Sequence, residues 1–183
     1  MNHEQQPSTR ELDGVYYNLA DYAGLGRRLL ILLIDGGVLF LAFAVMVGTY
    51  ATVAPALDHA FQIYSASTVF VIFGYLAILA RSRWGTLGYA LTSVRVVNLR
   101  GEQPSVPCML YRTLFGVLGP LDALFNIIWL GGDVHRQSVH DKLAGTYVVR
   151  RGVEPAGRGR QGYVTYTLFG YTFMVREVSR GVT

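Results

Sequence analysis

Hydrophobic residues in this chain fall in long blocks. Asp, Glu, Lys and Arg are absent between positions 36 and 57, and again between 61 and 80. A helix crossing the ~30 Å hydrocarbon core of a bilayer needs about 20 apolar residues at ~1.5 Å each. The pattern therefore predicts a first span over residues 29 to about 49, with Asp35 inside it, and a second over residues 61–80. Pro55, Asp58 and His59 mark a turn between them, so the two spans make a helical hairpin. The second ends in Arg81-Ser82-Arg83-Trp84, cations and an indole suited to a membrane–water boundary.

A third apolar block, residues 113–130, is interrupted by Gly119-Pro120, with Asp122 just beyond. It reads either as one kinked span or as two half-helices that enter and return, which is allowed where the backbone is buried in protein. Charge favours the return. Arg10, Arg27 and Arg28 precede the first span, and Arg81, Arg83, Arg95, Arg100 and Arg112 lie between the second and third blocks. The positive-inside bias makes both groups cytoplasmic. A full third crossing would put Arg136, Lys142, Arg150 and Arg151 outside, whereas a re-entrant block keeps them inside.

Between and after the blocks the period changes. Residues 93–99 alternate around Val94, Val96 and Val97 and read as a strand, followed by an Arg100-Gly101-Glu102 turn. Pro104 and Pro107 stop regular structure. Thr146-Tyr147-Val148-Val149 is a second short strand that can pair with the first on the cytoplasmic face. Residues 153–162 are a Gly- and Arg-containing linker, and 163–178 alternate β-formers as a strand or hairpin appendage. The expected fold is an all-α polytopic membrane domain: two transmembrane helices, a third kinked or re-entrant segment, and short cytoplasmic β elements. Residues 1–21 form a polar, solvated tail, 22–151 the membrane domain, and 152–183 the linker and appendage.

Composition agrees with this division. The 183 residues are 51% hydrophobic and 15% charged, against about 25% charged in soluble domains. The net charge of +4 resides largely in arginines flanking apolar blocks. The expected partner is thus an anionic lipid surface and not nucleic acid. The N-terminus lacks the basic start and early apolar core of a signal peptide, so the first block is expected to remain as an uncleaved anchor. The single cysteine, Cys108, excludes an intramolecular disulfide.

Chemistry concentrates in few residues. Arg28 and Asp35 are seven positions apart, on one helical face but about 10 Å apart along the axis, too far for an easy ion pair. Arg28 can reach back to the cytoplasmic surface, while Asp35 lies within the bilayer. There a carboxylate serves either as a proton or cation site or as the anchor of a polar network. Residues 136–146 mix every charge type, and within them Asp141 can reach Arg28 or Arg112 at the cytoplasmic mouth. The adjacent His140-Asp141 pair is a poor metal site, because neighbours on a helix diverge. Asp122, two positions after Pro120, suits a helix start, or else lines a polar cavity beside Asp35. No phosphate loop, nucleophile elbow, Cys-pair zinc motif or dinucleotide fingerprint is present. No enzyme activity, metal or cofactor is expected.

Three stretches together resemble one family. Ala23-Gly24-Leu25-Gly26-Arg27-Arg28 leading to Asp35 is similar to the opening helix of the RDD family of bacterial and archaeal membrane proteins. Trp84-Gly85-Thr86-Leu87-Gly88, Val94-Arg95-Val96-Val97, Gly101 and Arg112 resemble its middle segment. Arg136-Gln137-Ser138-Val139-His140-Asp141-Lys142-Leu143-Ala144-Gly145-Thr146 resembles its closing motif. The resemblance covers residues 22–151. Tyr89 stands where the family often has a basic residue, and Leu32 where a small one is usual.

By that resemblance Arg28, Asp35 and Asp141 are the name-giving residues; Asp122 and Arg112, read from their places in the sequence, join them as candidates for an ion, proton or polar-network site. Some family members have been proposed as cation/proton antiporters. The resemblance implies a prokaryotic plasma-membrane protein; the apolar spans and their flanking arginines make it multi-pass with a cytoplasmic N-terminus. Its role is either exchange of protons for monovalent cations or that of a non-transporting scaffold or accessory subunit. In an exchanger Asp35 would carry the proton, Arg28 would tune it and Asp141 would gate. Subunits would have to assemble as a homo-oligomer, or with a membrane partner, because one chain has too few helices to enclose a path.

Overall fold

The computed structural model describes residues 13–56, 58–116, 129, 133, 136–168 and 171–180. Strand β1 (Asp13–Tyr16) precedes the long helix α1 (Leu25–Val53), which ends in a 3-10 turn, Ala54–Ala56. Helix α2 (Ala60–Phe73) runs on into a π-helical segment, Gly74–Leu79. Then come the short helix α3 (Leu87–Leu91), strand β2 (Val94–Asn98) and helix α4 (Val106–Gly116). Helix α5 (Val139–Ala144), strand β3 (Thr146–Arg150) and the hairpin β4 (Gly157–Leu168) and β5 (Tyr171–Arg180) complete the chain.

Two helices, Leu25–Ala56 with its 3-10 turn and Ala60–Leu79, are long and apolar enough to cross a membrane. Their exposure separates them from the core helices of a soluble protein. Only Ile31 and Asp35 are buried in α1, and nothing is buried in α2. Leu33, Phe40 and Phe70 are 73%, 74% and 78% exposed. Apolar surface open on every side suits lipid and is costly in water. The 29 residues of α1 extend about 43 Å at ~1.5 Å each, some 13 Å more than the hydrocarbon core. With the surplus at the N-terminal end, where Arg27 and Arg28 lie, Asp35 would sit near the boundary rather than mid-bilayer.

Below the hairpin lie two antiparallel sheets. In one, β2 and β3 pair along their whole length, from Val94 opposite Arg150 to Asn98 opposite Thr146. The expected pairing of these two strands is therefore present. Residues 15–23 frame this ribbon: Val15 donates its N–H to Leu99, and Ala23 to Val148. Beneath it Tyr17, Tyr22 and Tyr147 meet edge to face, with centroids 5.5–6.3 Å apart. Such aromatic pairs add about 0.5–1.5 kcal/mol each beyond the area they bury. The other sheet has the order β1-β4-β5.

Several expectations are corrected. The C-terminal appendage is a long β-hairpin of 12- and 10-residue strands. Its first strand begins at Gly157, inside the stretch read as a linker. The N-terminal tail is not wholly solvated: Asp13–Tyr16 pairs with β4, from Asp13 opposite Arg160 to Tyr16 opposite Gly157, and Tyr17 is buried. A four-residue strand takes its conformation from its neighbour, not from its own pattern. Pro107 does not stop regular structure. It lies in the first turn of α4, where a missing N–H costs nothing. The third apolar block beyond Gly116, with Asp122, lies outside the described residues apart from Trp129.

Candidate functional site

Asp35 projects from α1 toward α3 and is 6% exposed. Its Oδ1 accepts from the Tyr75 hydroxyl and from the Gly88 backbone N–H, each at 2.8 Å, and its Oδ2 accepts from the Thr86 hydroxyl at 2.7 Å. All three donors are neutral. Thr86 is at once the N-cap of α3, accepting the Tyr89 N–H at 3.2 Å, and Tyr75 Oη accepts the Leu87 N–H at 3.1 Å. Tyr75 belongs to the π-helical segment of the second span, a local rewinding that re-aims a side chain. A Cβ on Gly88 would stand 2.9 Å from Asp35 Cγ, so the carboxylate and the start of α3 are in direct contact. A carboxylate at span centre costs about 2.5–3.5 kcal/mol. Hydrogen bonds to a charged group return roughly 1.5–3 kcal/mol each. Three of them near the boundary therefore outweigh the cost.

Asp141 is fully buried at the start of α5. Ser138 and Asp141 form a reciprocal capping box: Ser138 N–H donates to Asp141 Oδ2 at 3.1 Å, and Asp141 N–H donates to Ser138 Oγ at 3.2 Å. Two guanidinium groups then converge on the same carboxylate. Arg28 Nη1 lies 2.5 Å from Oδ2 and Arg112 Nε 2.7 Å from Oδ1. Arg28 also donates to the carbonyls of Ala23 and Arg136, and Arg112 Nη1 donates to the Tyr89 hydroxyl at 3.0 Å. Burial would raise the Asp141 carboxyl. Arg28, Arg112 and the Ser138 N–H overcome it and hold the group well below the usual carboxylate range.

The two carboxylates belong to one circuit. Adjacent residues of α3 serve both: the Gly88 N–H faces Asp35, and the Tyr89 hydroxyl faces Arg112. The path runs from Asp35 through α3 to Arg112 on α4, to Asp141 on α5, and by Arg28 back to α1. Beside it Lys142, 2% exposed, bonds Asp133 Oδ1 at 2.6 Å, the Tyr166 hydroxyl at 3.1 Å and Glu177. Tyr166 in turn donates to Glu177 at 2.7 Å. Burial would lower the Lys142 ammonium, but the hydrogen bonds it donates to Asp133, Glu177 and Tyr166 outweigh it and raise it. The hairpin β4–β5 is thereby tied to α5.

A model of the RDD family matches residues 22–145. The chain belongs to the RDD family. No curated protein and no solved structure matches it. Of the residues singled out in this RDD sequence, Arg28, Arg112 and Asp141 meet directly, while Asp35 joins them only through α3. Asp122 is outside the described residues. Tyr89, in a position where family members often carry a basic residue, here serves as acceptor for Arg112. The partners Tyr75, Thr86 and Gly88 were not foreseen, and neither was the Lys142–Glu177 tie. The capping box did have a local signature, Ser138-Val139-His140-Asp141. Among the described residues no group of three His, Cys, Asp or Glu is placed to hold a metal.

Proposed function

We propose that this RDD domain is a membrane scaffold, whose name-giving residues form an internal clasp fixing the β-sheets to a two-helix anchor. The observation that carries this reading is saturation. Both oxygens of Asp35 and both oxygens of Asp141 are filled by donors from the same chain. A transported ion would have to displace these bonds. A clasp retains them, and in it the polar residues supply geometry rather than a path. The basic lower face and the β4–β5 hairpin are then the surfaces offered to lipid or protein partners.

A second reading, exchange of protons for monovalent cations, is favoured by one feature. Asp35 is bonded only by neutral groups, and a carboxylate with two hydroxyls offers oxygen ligands for a cation that competes with a proton. Reconstitution in liposomes with an internal pH dye separates the two. The scaffold predicts that Na⁺, Li⁺ and K⁺ pulses move no protons, and that Asp35→Asn lowers the unfolding temperature instead. Proton movement on a pulse, lost in Asp35→Asn, would establish exchange and reject the scaffold.

A further inference from the structure

At the end of the second span lies a cleft of about 380 Å³, walled by Arg81, Arg83, Arg95, Arg151, Ser82 and Gln103. That is room for about a dozen waters at ~30 Å³ each. Four of its lining residues are arginines, and no acidic residue lines it. Among the described residues none of the four guanidinium groups pairs with a carboxylate. Carbonyls hold three of them instead: Arg81 Nε donates to Pro104 at 2.6 Å, Arg95 to Val153 at 3.1 Å, and Arg151 Nε to Val94 at 3.0 Å. The side chains are thus positioned in advance, with most of their five N–H groups unspent. Like charges held together without a counterion are unfavourable, and a bound anion relieves them.

The height of the cleft narrows the choice of anion. The apolar helix ends at Leu79, so Arg81 and Arg83 follow within one turn of the hydrocarbon edge. Trp84, beside them, is largely exposed with Arg83 stacked on its ring at 5.0 Å. An exposed indole next to cations marks the headgroup layer. Planar guanidinium forks match phosphate oxygens two at a time. We infer that this cleft binds the phosphate of an anionic membrane lipid. The inference rests on the second span crossing the bilayer. It is independent of whether the clasp transports ions.

The full chain, purified in a maltoside detergent, is titrated with dioctanoyl phosphatidylglycerol while thermal unfolding is followed. The expected result is a saturable rise in unfolding temperature. R83Q/R95Q, at two exposed positions, weakens half-saturation by roughly 30-fold, at about 1 kcal/mol for each arginine near a lipid phosphate. R158Q/R160Q removes the same charge from the exposed face of β4 and leaves half-saturation unchanged. Equal weakening by both pairs would reduce the effect to net charge and overturn the site. An equal rise with dioctanoyl phosphatidylcholine would remove the preference for an anionic headgroup. An equal rise with inorganic phosphate would assign the cleft to a soluble anion and reject the lipid.

Discussion

Asp141 shows what a single side chain can hold. It is buried with two guanidinium groups and a helix cap on one carboxylate, so its removal leaves two cations without their counter-charge. Breaking a buried pair by deleting one partner costs about 3–5 kcal/mol. Both arginines keep some solvent contact, so Asp141→Asn is expected near the lower end, about 3 kcal/mol, in equilibrium unfolding. The pH dependence follows from the depressed carboxyl. Its stabilisation is complete above the ordinary carboxylate range, about pH 4, and is lost as pH falls through the lower folded-state value. The unfolding temperature of the native protein should therefore drop more steeply on acidification than that of Asp141→Asn, which has no carboxyl to protonate. At this scale sequence reasoning reached half the answer. Seven residues of helix kept Arg28 and Asp35 from pairing, and that spacing is readable. The true partners of Asp35 are 40, 51 and 53 positions away, and no local spacing encodes them.

Among the elements, the spans were legible because apolar length alone determines them, and β2 and β3 because short valine-rich runs stand between turn residues. The π-helical segment and α3 were not. Gly85-Thr86-Leu87-Gly88 reads as a small, tight connection, and the approach of Asp35 explains why position 88 must be small. Gly88→Ala tests this. The added carbon would meet Asp35 at 2.9 Å and force the carboxylate or α3 aside, at about 1–3 kcal/mol. Gly36→Ala, one position from Asp35 on α1 but with nothing within 4 Å of its Cβ, should leave the unfolding temperature unchanged or raise it, since alanine suits a helix better. Equal losses for both would contradict the contact.

For the whole molecule, pairing across distant segments constrains topology. β2 follows the second span, β3 follows the third apolar block, and five residues of each lie hydrogen-bonded side by side. β1, before the first span, joins β4. These pairings bring the segments flanking the two spans together at one end of the hairpin, the end rich in flanking arginines, which the positive-inside bias predicts to face the cytoplasm. The prediction is specific. In a Cys108→Ser background, Glu154→Cys, exposed after β3, should react with an impermeant maleimide only after intact cells are opened. Labelling from outside would reverse the orientation. The long hairpin β4–β5 was visible as alternation. Its bond to β1 was not, because Asp13-Gly14-Val15-Tyr16 has too few residues to show a period.

That bond carries a consequence for synthesis. Asp13 and its neighbour Gln161 are 148 positions apart. At ~5–20 residues per second the ribosome takes roughly 7–30 s to make the intervening chain. Throughout that interval the strand produced first has no β4 to dock on, while the greasy hairpin behind it is already entering the bilayer. Closure of the three-stranded sheet is therefore a late event in biogenesis, and a chain truncated before residue 157 would leave the translation machinery with an unmatched edge at its leading end.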